Sequence, residues 1–134
     1  MEKFVVDTNV IIDFLRGDMT LYTFFHALES KEISGFFSVI TEMELLWCCQ
    51  DEKERDKIEE LLSMLERINV DDSLIPMVCK CKQKSPEIDL PDAIIAASSL
   101  KTPCYLSTRN IKHFQKTEGI KLFDPTNFRI AEKS

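Results

Sequence analysis

The stretch Lys3-Phe4-Val5-Val6-Asp7-Thr8-Asn9-Val10-Ile11-Ile12 decides the fold class. Residues 3–7 are short, β-rich and apolar, and they end on a carboxylate, which is the pattern of a strand buried on both faces. Thr8-Asn9 then offers a helix cap ahead of Val10, Ile11, Ile12, Phe14 and Leu15, with Gly17 as the stop. A buried strand running straight into a helix is the opening half of a β-α-β unit. The rest of the chain repeats the alternation.

A second helix is expected from about Thr20 to Ser30, because Leu21, Phe24, Phe25 and Leu28 share one face at helical spacing. Gly35-Phe36-Phe37-Ser38 reads as a strand, followed by a helix from Thr41 through Leu45, Leu46 and Trp47. The charged run Asp51–Arg55 opens a helix whose inner face is Ile58, Leu61, Leu62 and Leu65, and Ile68 with Val70 suggests a short strand. Ser73 to Lys82 is expected to be helical with Leu74, Met77, Val78 and Cys81 inward. A polar loop leads to Pro91, which suits a first helical turn, and Asp92-Ala93-Ile94-Ile95-Ala96-Ala97 continues as a closely packed, buried helix. Cys104–Ser107 reads as a strand, Asn110–Phe114 as a short helix and Leu122-Phe123 as a last strand; the tail from Asp124-Pro125 is not placed by its pattern. Strands alternating with helices indicate an α/β fold: a three-layer α/β/α sandwich around a central, mostly parallel sheet.

At 134 residues the chain is expected to form one domain, 1–134, with a core from about 3 to 125 and a short tail. No apolar run reaches the ~20 residues of a membrane span. The start shows no basic, apolar and cleavable segments in succession, so a cytoplasmic protein is expected. The five cysteines are odd in number and match neither a disulfide framework nor zinc spacing, and are expected reduced and mostly buried. A net charge of −6 argues against a binder that grips nucleic acid through basic side chains. It does not argue against a carboxylate cluster built around a cation.

Four polar residues fall where a strand ends or a helix begins: Asp7, Glu44, Asp92 and Asn110. In a parallel α/β sheet the carboxyl ends of the strands share one edge, where ligand sites form. Each residue also has a plain structural reading. Asp7 or Thr8 would cap the first helix, Thr41-Glu42-Met43-Glu44 has the form of a capping box, Asp89 with Asp92 would cap and favour the helix dipole, and Asn110 is a good N-cap. Against this, Asp7 ends a very apolar strand and Asp92 opens a buried helix. Ionised carboxylates in such places need a partner or a cation, and oxygen ligands of this kind suit Mg²⁺ or Mn²⁺.

Four blocks, in order, carry a family resemblance: Val5-Val6-Asp7-Thr8-Asn9-Val10, Ser38-Val39-Ile40-Thr41-Glu42-Met43-Glu44-Leu45, Pro91-Asp92-Ala93-Ile94-Ile95-Ala96-Ala97 and Ser107-Thr108-Arg109-Asn110-Ile111-Lys112-His113-Phe114. The chain resembles the PIN-domain family, and within it the VapC-like toxins of toxin–antitoxin pairs, over about residues 3–125. The resemblance implies a parallel sheet flanked by helices and a divalent-metal-dependent endoribonuclease. By it, Asp7, Glu44 and Asp92 take the acidic metal positions and Asn110 the fourth position, better suited to orienting water or substrate than to gripping the ion. Thr8 matches the polar residue after the first acid, and Asp89 an acid present in some members. Thr8, Asp89, Thr108, Arg109 and Lys112 are candidates for substrate contact, with solvated surface charge the plain alternative for Arg109 and Lys112. Where many relatives carry Asp before the last Phe, this chain has His113, which is expected to serve at the surface or in packing, with substrate contact the alternative. The resemblance further implies an RNA substrate, an antitoxin partner and a homodimer. For the dimer, Phe24, Phe25 or Trp47 are available unless they pack in the core. The other readings are a PIN-fold RNA-processing nuclease outside such a pair, and a silent PIN-fold module that binds a protein. A phosphotransfer receiver is disfavoured, since Glu2-Lys3 does not supply its early acidic pair.

Overall fold

The computed structural model describes residues 2–130; Met1 and the end of the expected tail, 131–134, lie outside the described residues. The elements in order are β1 (Lys3–Val6), α1 (Thr8–Leu15), a 3-10 turn (Met19–Leu21), α2 (Tyr22–Glu29), β2 (Ser34–Ser38), α3 (Val39–Cys48), α4 (Glu52–Leu62) and β3 (Glu66–Ile68). They continue with α5 (Ile75–Lys84), α6 (Leu90–Lys101), β4 (Tyr105–Ser107), α7 (Ile111–Phe114), β5 (Leu122–Phe123) and a second 3-10 turn (Pro125–Asn127). The sheet has the order β3-β2-β1-β4-β5, and every adjacent pair is parallel. The expected α/β/α sandwich is therefore the observed one.

β1 is central because it is apolar on both faces. Phe4 and Val6 point into one core with Phe24, Phe25 and Leu28 of α2, Leu45 of α3, and Ile58, Leu61 and Leu62 of α4. Val5 points into the other, with Val78 and Cys81 of α5 and Ala93, Ile95, Ala96 and Ala97 of α6. Alternation along a strand places successive side chains on opposite faces, so three consecutive apolar residues feed both helical layers. The small residues of α6 let it lie close on the sheet, as its composition suggests.

β2 carries Gly35 opposite Phe4. A Cβ there would stand 2.5 Å from Leu65 Cδ2 and 2.6 Å from Leu28 Cδ2. Both leucines are buried, so neither has free space to turn into. Gly35→Ala is expected to destabilise the fold by about 1–3 kcal/mol, the usual range for overpacking a filled core. A urea denaturation midpoint shifted downward at unchanged slope is the expected readout.

Some boundaries differ from the sequence reading. α3 begins at Val39 because Ser38 caps it, its Oγ accepting from Ile40 N at 3.2 Å. Thr41 and Glu44 thus lie inside the helix, and no capping box forms there. α5 starts at Ile75 after Asp71, which accepts from the N–H groups of Ser73 and Leu74. Val70 falls outside β3 and is exposed. The unplaced tail turns back at Pro125–Asn127 and buries Phe128 in the first core. The expectation of mostly buried cysteines is corrected: Cys81 and Cys104 are buried, but Cys48 and Cys79 are exposed and Cys49 is half-buried, because these three sit on the outer sides or ends of α3 and α5. Among the described residues, no helix is long and apolar enough to cross a membrane.

Candidate metal centre

β1 ends at Val6 in the middle of the sheet, and the Asp7 N–H continues the ladder by donating to Ser107 O of β4 at 3.0 Å. Asp7 is thereby fixed at the carboxyl edge of the sheet, only 4% exposed. Its backbone occupies the N-cap position of α1, yet its side chain makes no capping bond. The carboxylate instead accepts from Thr108 Oγ1 on Oδ2 at 2.8 Å. Thr108 follows β4 directly, and its Oγ1 also accepts from Asn110 N at 3.0 Å, so one buried hydroxyl ties Asp7 to the start of α7.

Glu44 reaches the same edge from α3. Thr8 Oγ1 lies 2.8 Å from Thr41 Oγ1 and 3.0 Å from Glu44 Oε1. A carboxylate only accepts, so Thr8 donates its single proton to Glu44 and accepts the proton of Thr41. This relay explains why two threonines are buried side by side and why Thr8 does not cap α1.

Asp92 sits in the first turn of α6. Asp89 caps that helix, its Oδ1 accepting from Asp92 N at 2.9 Å, so the plain reading holds for Asp89. The side chain of Asp92 does something else: its Oδ2 lies 2.7 Å from Nε2 of His113 on α7. His113 is half-buried. The ring also packs edge-on against Phe114, in keeping with the expected packing role, and the contact with Asp92 adds to it.

Asp7 feels both other acids, and Glu44 feels Asp92. Asp7 is pushed up from 3.8 to about 6, first by burial and then by the charges of Asp92 and Glu44, against the bonds from Thr108 and the Thr8 backbone. Glu44 is raised by burial and by Asp92 and Asp89, with Thr8 opposing. Asp92 is raised by burial and by Asp89, with His113 opposing. Three carboxyl side chains, each raised above its ordinary range, form a donor set whose chemistry fits a hard divalent cation. Among the described residues, no group of three His, Cys, Asp or Glu side chains stands ready to hold an ion. Glu44 is turned to Thr8 and Asp92 to His113.

The remaining candidates divide. Asn110 is exposed at the N-cap of α7 and makes no side-chain capping bond. Arg109 is committed elsewhere: its Nη1 bonds Asp18 Oδ2 at 2.6 Å and Asp13 Oδ2 at 3.1 Å, and its Nη2 donates to Thr20 Oγ1 at 2.6 Å. It pins the β4–α7 connection to α1 and the first 3-10 turn. Lys112 is exposed on α7.

A parallel sheet of this strand order, with a buried aspartate at the end of its central strand and two further acids beside it, defines an α/β protein with an acidic site at the carboxyl edge. The chain belongs to the PIN domain family, whose model matches residues 4–119. Among solved structures it is similar to a toxin–antitoxin complex from Klebsiella pneumoniae, at 29% identity and TM-score 0.74, covering 90% of this chain and 96% of that chain. It is similar in fold to DNA-bound VapBC from Salmonella typhimurium, at 23% identity and TM-score 0.81, covering 93% of this chain and 99% of that one. It also shares its fold with VapBC2 from Rickettsia felis bound to a promoter DNA fragment, at 21% identity and TM-score 0.79, covering 90% and 97%. No curated protein matches the sequence.

Proposed function

We propose that this chain is a Mg²⁺- or Mn²⁺-dependent endoribonuclease acting in the cytoplasm as the toxin of a toxin–antitoxin pair. The observation that carries the reading is the convergence of acids at one sheet edge: Asp7 is buried, raised to about 6 and repelled by both Asp92 and Glu44, and Glu44 is itself raised by Asp92. Membership of the PIN domain family supports it. So does the likeness to the toxin–antitoxin complex from Klebsiella pneumoniae.

In this reading Asp7, Asp92 and Glu44 would hold the ion. A cation bound there lowers the pKa of a water and offsets charge on the phosphodiester. Thr108 and Thr8 keep Asp7 and Glu44 oriented, Asp92 or Glu44 takes the proton of the water, and Asn110 orients water or substrate at the rim. Lys112 is free to meet a substrate phosphate, whereas Arg109 acts by fixing the loop that carries Asn110. An antitoxin would cover this edge. A homodimer belongs to the same proposal, and Trp47, 89% exposed on α3, is its apolar anchor, since Phe24 and Phe25 are spent in the core.

The reading is tested by incubating a mixed single-stranded RNA pool with the purified protein and Mg²⁺ or Mn²⁺. Products with 5′-phosphate and 3′-hydroxyl ends, lost on adding EDTA, are expected. Intact RNA under all these conditions would favour the protein-binding module.

A further inference from the structure

His113 is the one imidazole at the acidic edge, and its place in the fold gives it a single polar task. Its ring stands edge-on to Phe114, with centroids 5.2 Å apart and planes at 90°, and Phe114 is buried. That packing holds the ring while Nε2 meets Asp92 Oδ2 at 2.7 Å. The backbone N–H of Asp92 donates to the capping Asp89, and its carboxyl also meets the Asp89 side chain. Its carboxylate carries the repulsion of Asp89, and burial raises it further.

We propose that His113 is a positioning residue for Asp92: Nε2–H donates to Oδ2, fixes the carboxylate plane and leaves Oδ1 for a divalent cation. The inference rests on the metal-dependent reading of this site. It extends that reading to a residue outside the acidic set, joined to it across elements. A partner that orients a metal-binding carboxylate contributes to ion affinity without touching the ion, and its removal typically lowers that affinity by roughly 10- to 100-fold.

The test is Mn²⁺ binding, followed by calorimetry and by the loss of the free-ion paramagnetic resonance signal, on wild type, His113→Leu and His113→Gln. Leucine fills the space of the ring without a donor; glutamine places an amide N–H near the position of Nε2. The expected result is Mn²⁺ affinity at least about 10-fold weaker in His113→Leu and recovered to within about threefold in His113→Gln. Melting temperatures in EDTA should stay alike, which a merely structural role would not produce. Wild-type affinity in His113→Leu would overturn this inference and leave the metal reading standing. Equal weakening in both variants would also overturn it, because the donor would then not matter. Absence of Mn²⁺ binding by the wild type would overturn the metal reading and this inference together. Should His113→Leu not fold, His113→Ala carries the same expectation.

Discussion

Asp7→Asn is expected to make the metal-free protein more stable while removing RNA cleavage. Asp7 is 4% exposed and its carboxyl is raised from 3.8 to about 6. A raised carboxyl is easier to protonate when folded than when unfolded, so its ionisation opposes folding. Below about pH 4 both states are protonated and the group costs nothing. As pH rises through about 6 the cost grows to its full value, on the order of 3 kcal/mol. On this account metal-free wild type loses stability between about pH 4 and 6.5, and Asp7→Asn does not. Near pH 7.5 the variant should be more stable by roughly 1–3 kcal/mol, since asparagine still accepts from Thr108 but loses the stronger bond of a charged acceptor. Denaturation in EDTA across that pH range checks this. Activity should move the other way. A metal ion contributes several kcal/mol of charge stabilisation to such a hydrolysis, and each ~1.4 kcal/mol is tenfold, so a fall of about a thousandfold is expected. A variant both steadier and inactive is the signature of a site built at the expense of the fold.

Phe24→Ala carries the largest expected stability loss. Phe24 is fully buried and packs edge-on to Phe4 at 5.3 Å and Phe25 at 5.6 Å, and against Phe128 at 5.8 Å and Phe123 at 6.5 Å. It thus joins α2 to the central strand and to the returning C-terminal segment. Truncating such a ring leaves a cavity among residues already fixed by one another, and costs about 3–5 kcal/mol. Chemical denaturation gives the value directly. A loss under 1 kcal/mol would mean that Phe24 is not in the core and would return it to the interface.

The layered fold was legible because Phe4, Val5 and Val6 are apolar in succession, and because helical spacing recurs in Leu21, Phe24, Phe25 and Leu28 and again in Ile58, Leu61 and Leu62. The direction of the sheet followed from strands separated by helices. The three acids were legible as strand-end and helix-start residues set beside apolar runs. What joins them was not. The Thr108–Asp7 bond links residues 101 positions apart, and the Thr8–Thr41–Glu44 relay spans 33 and 36. Such contacts depend on where side chains meet across elements, and no local period encodes that. Thr8 and Glu44 also fit local capping patterns, which compete with the site reading in sequence; in the fold Ser38 caps α3 and Thr8 lies inside α1. Arg109 resembled a free phosphate ligand for the same reason: its partners Asp13, Asp18 and Thr20 lie some 90 positions away. The returning tail was illegible because a single apolar residue, Phe128, carries its docking.

The central claim is that Asp7, Glu44 and Asp92 form a metal site that cleaves RNA. It is tested most directly by following an end-labelled single-stranded RNA with wild type and Asp7→Asn, side by side, in Mn²⁺ and then in EDTA. The account predicts cleavage by wild type in Mn²⁺ alone, and about a thousandfold less by a folded Asp7→Asn. Equal cleavage by the two proteins, or wild-type cleavage that persists in EDTA, would contradict it.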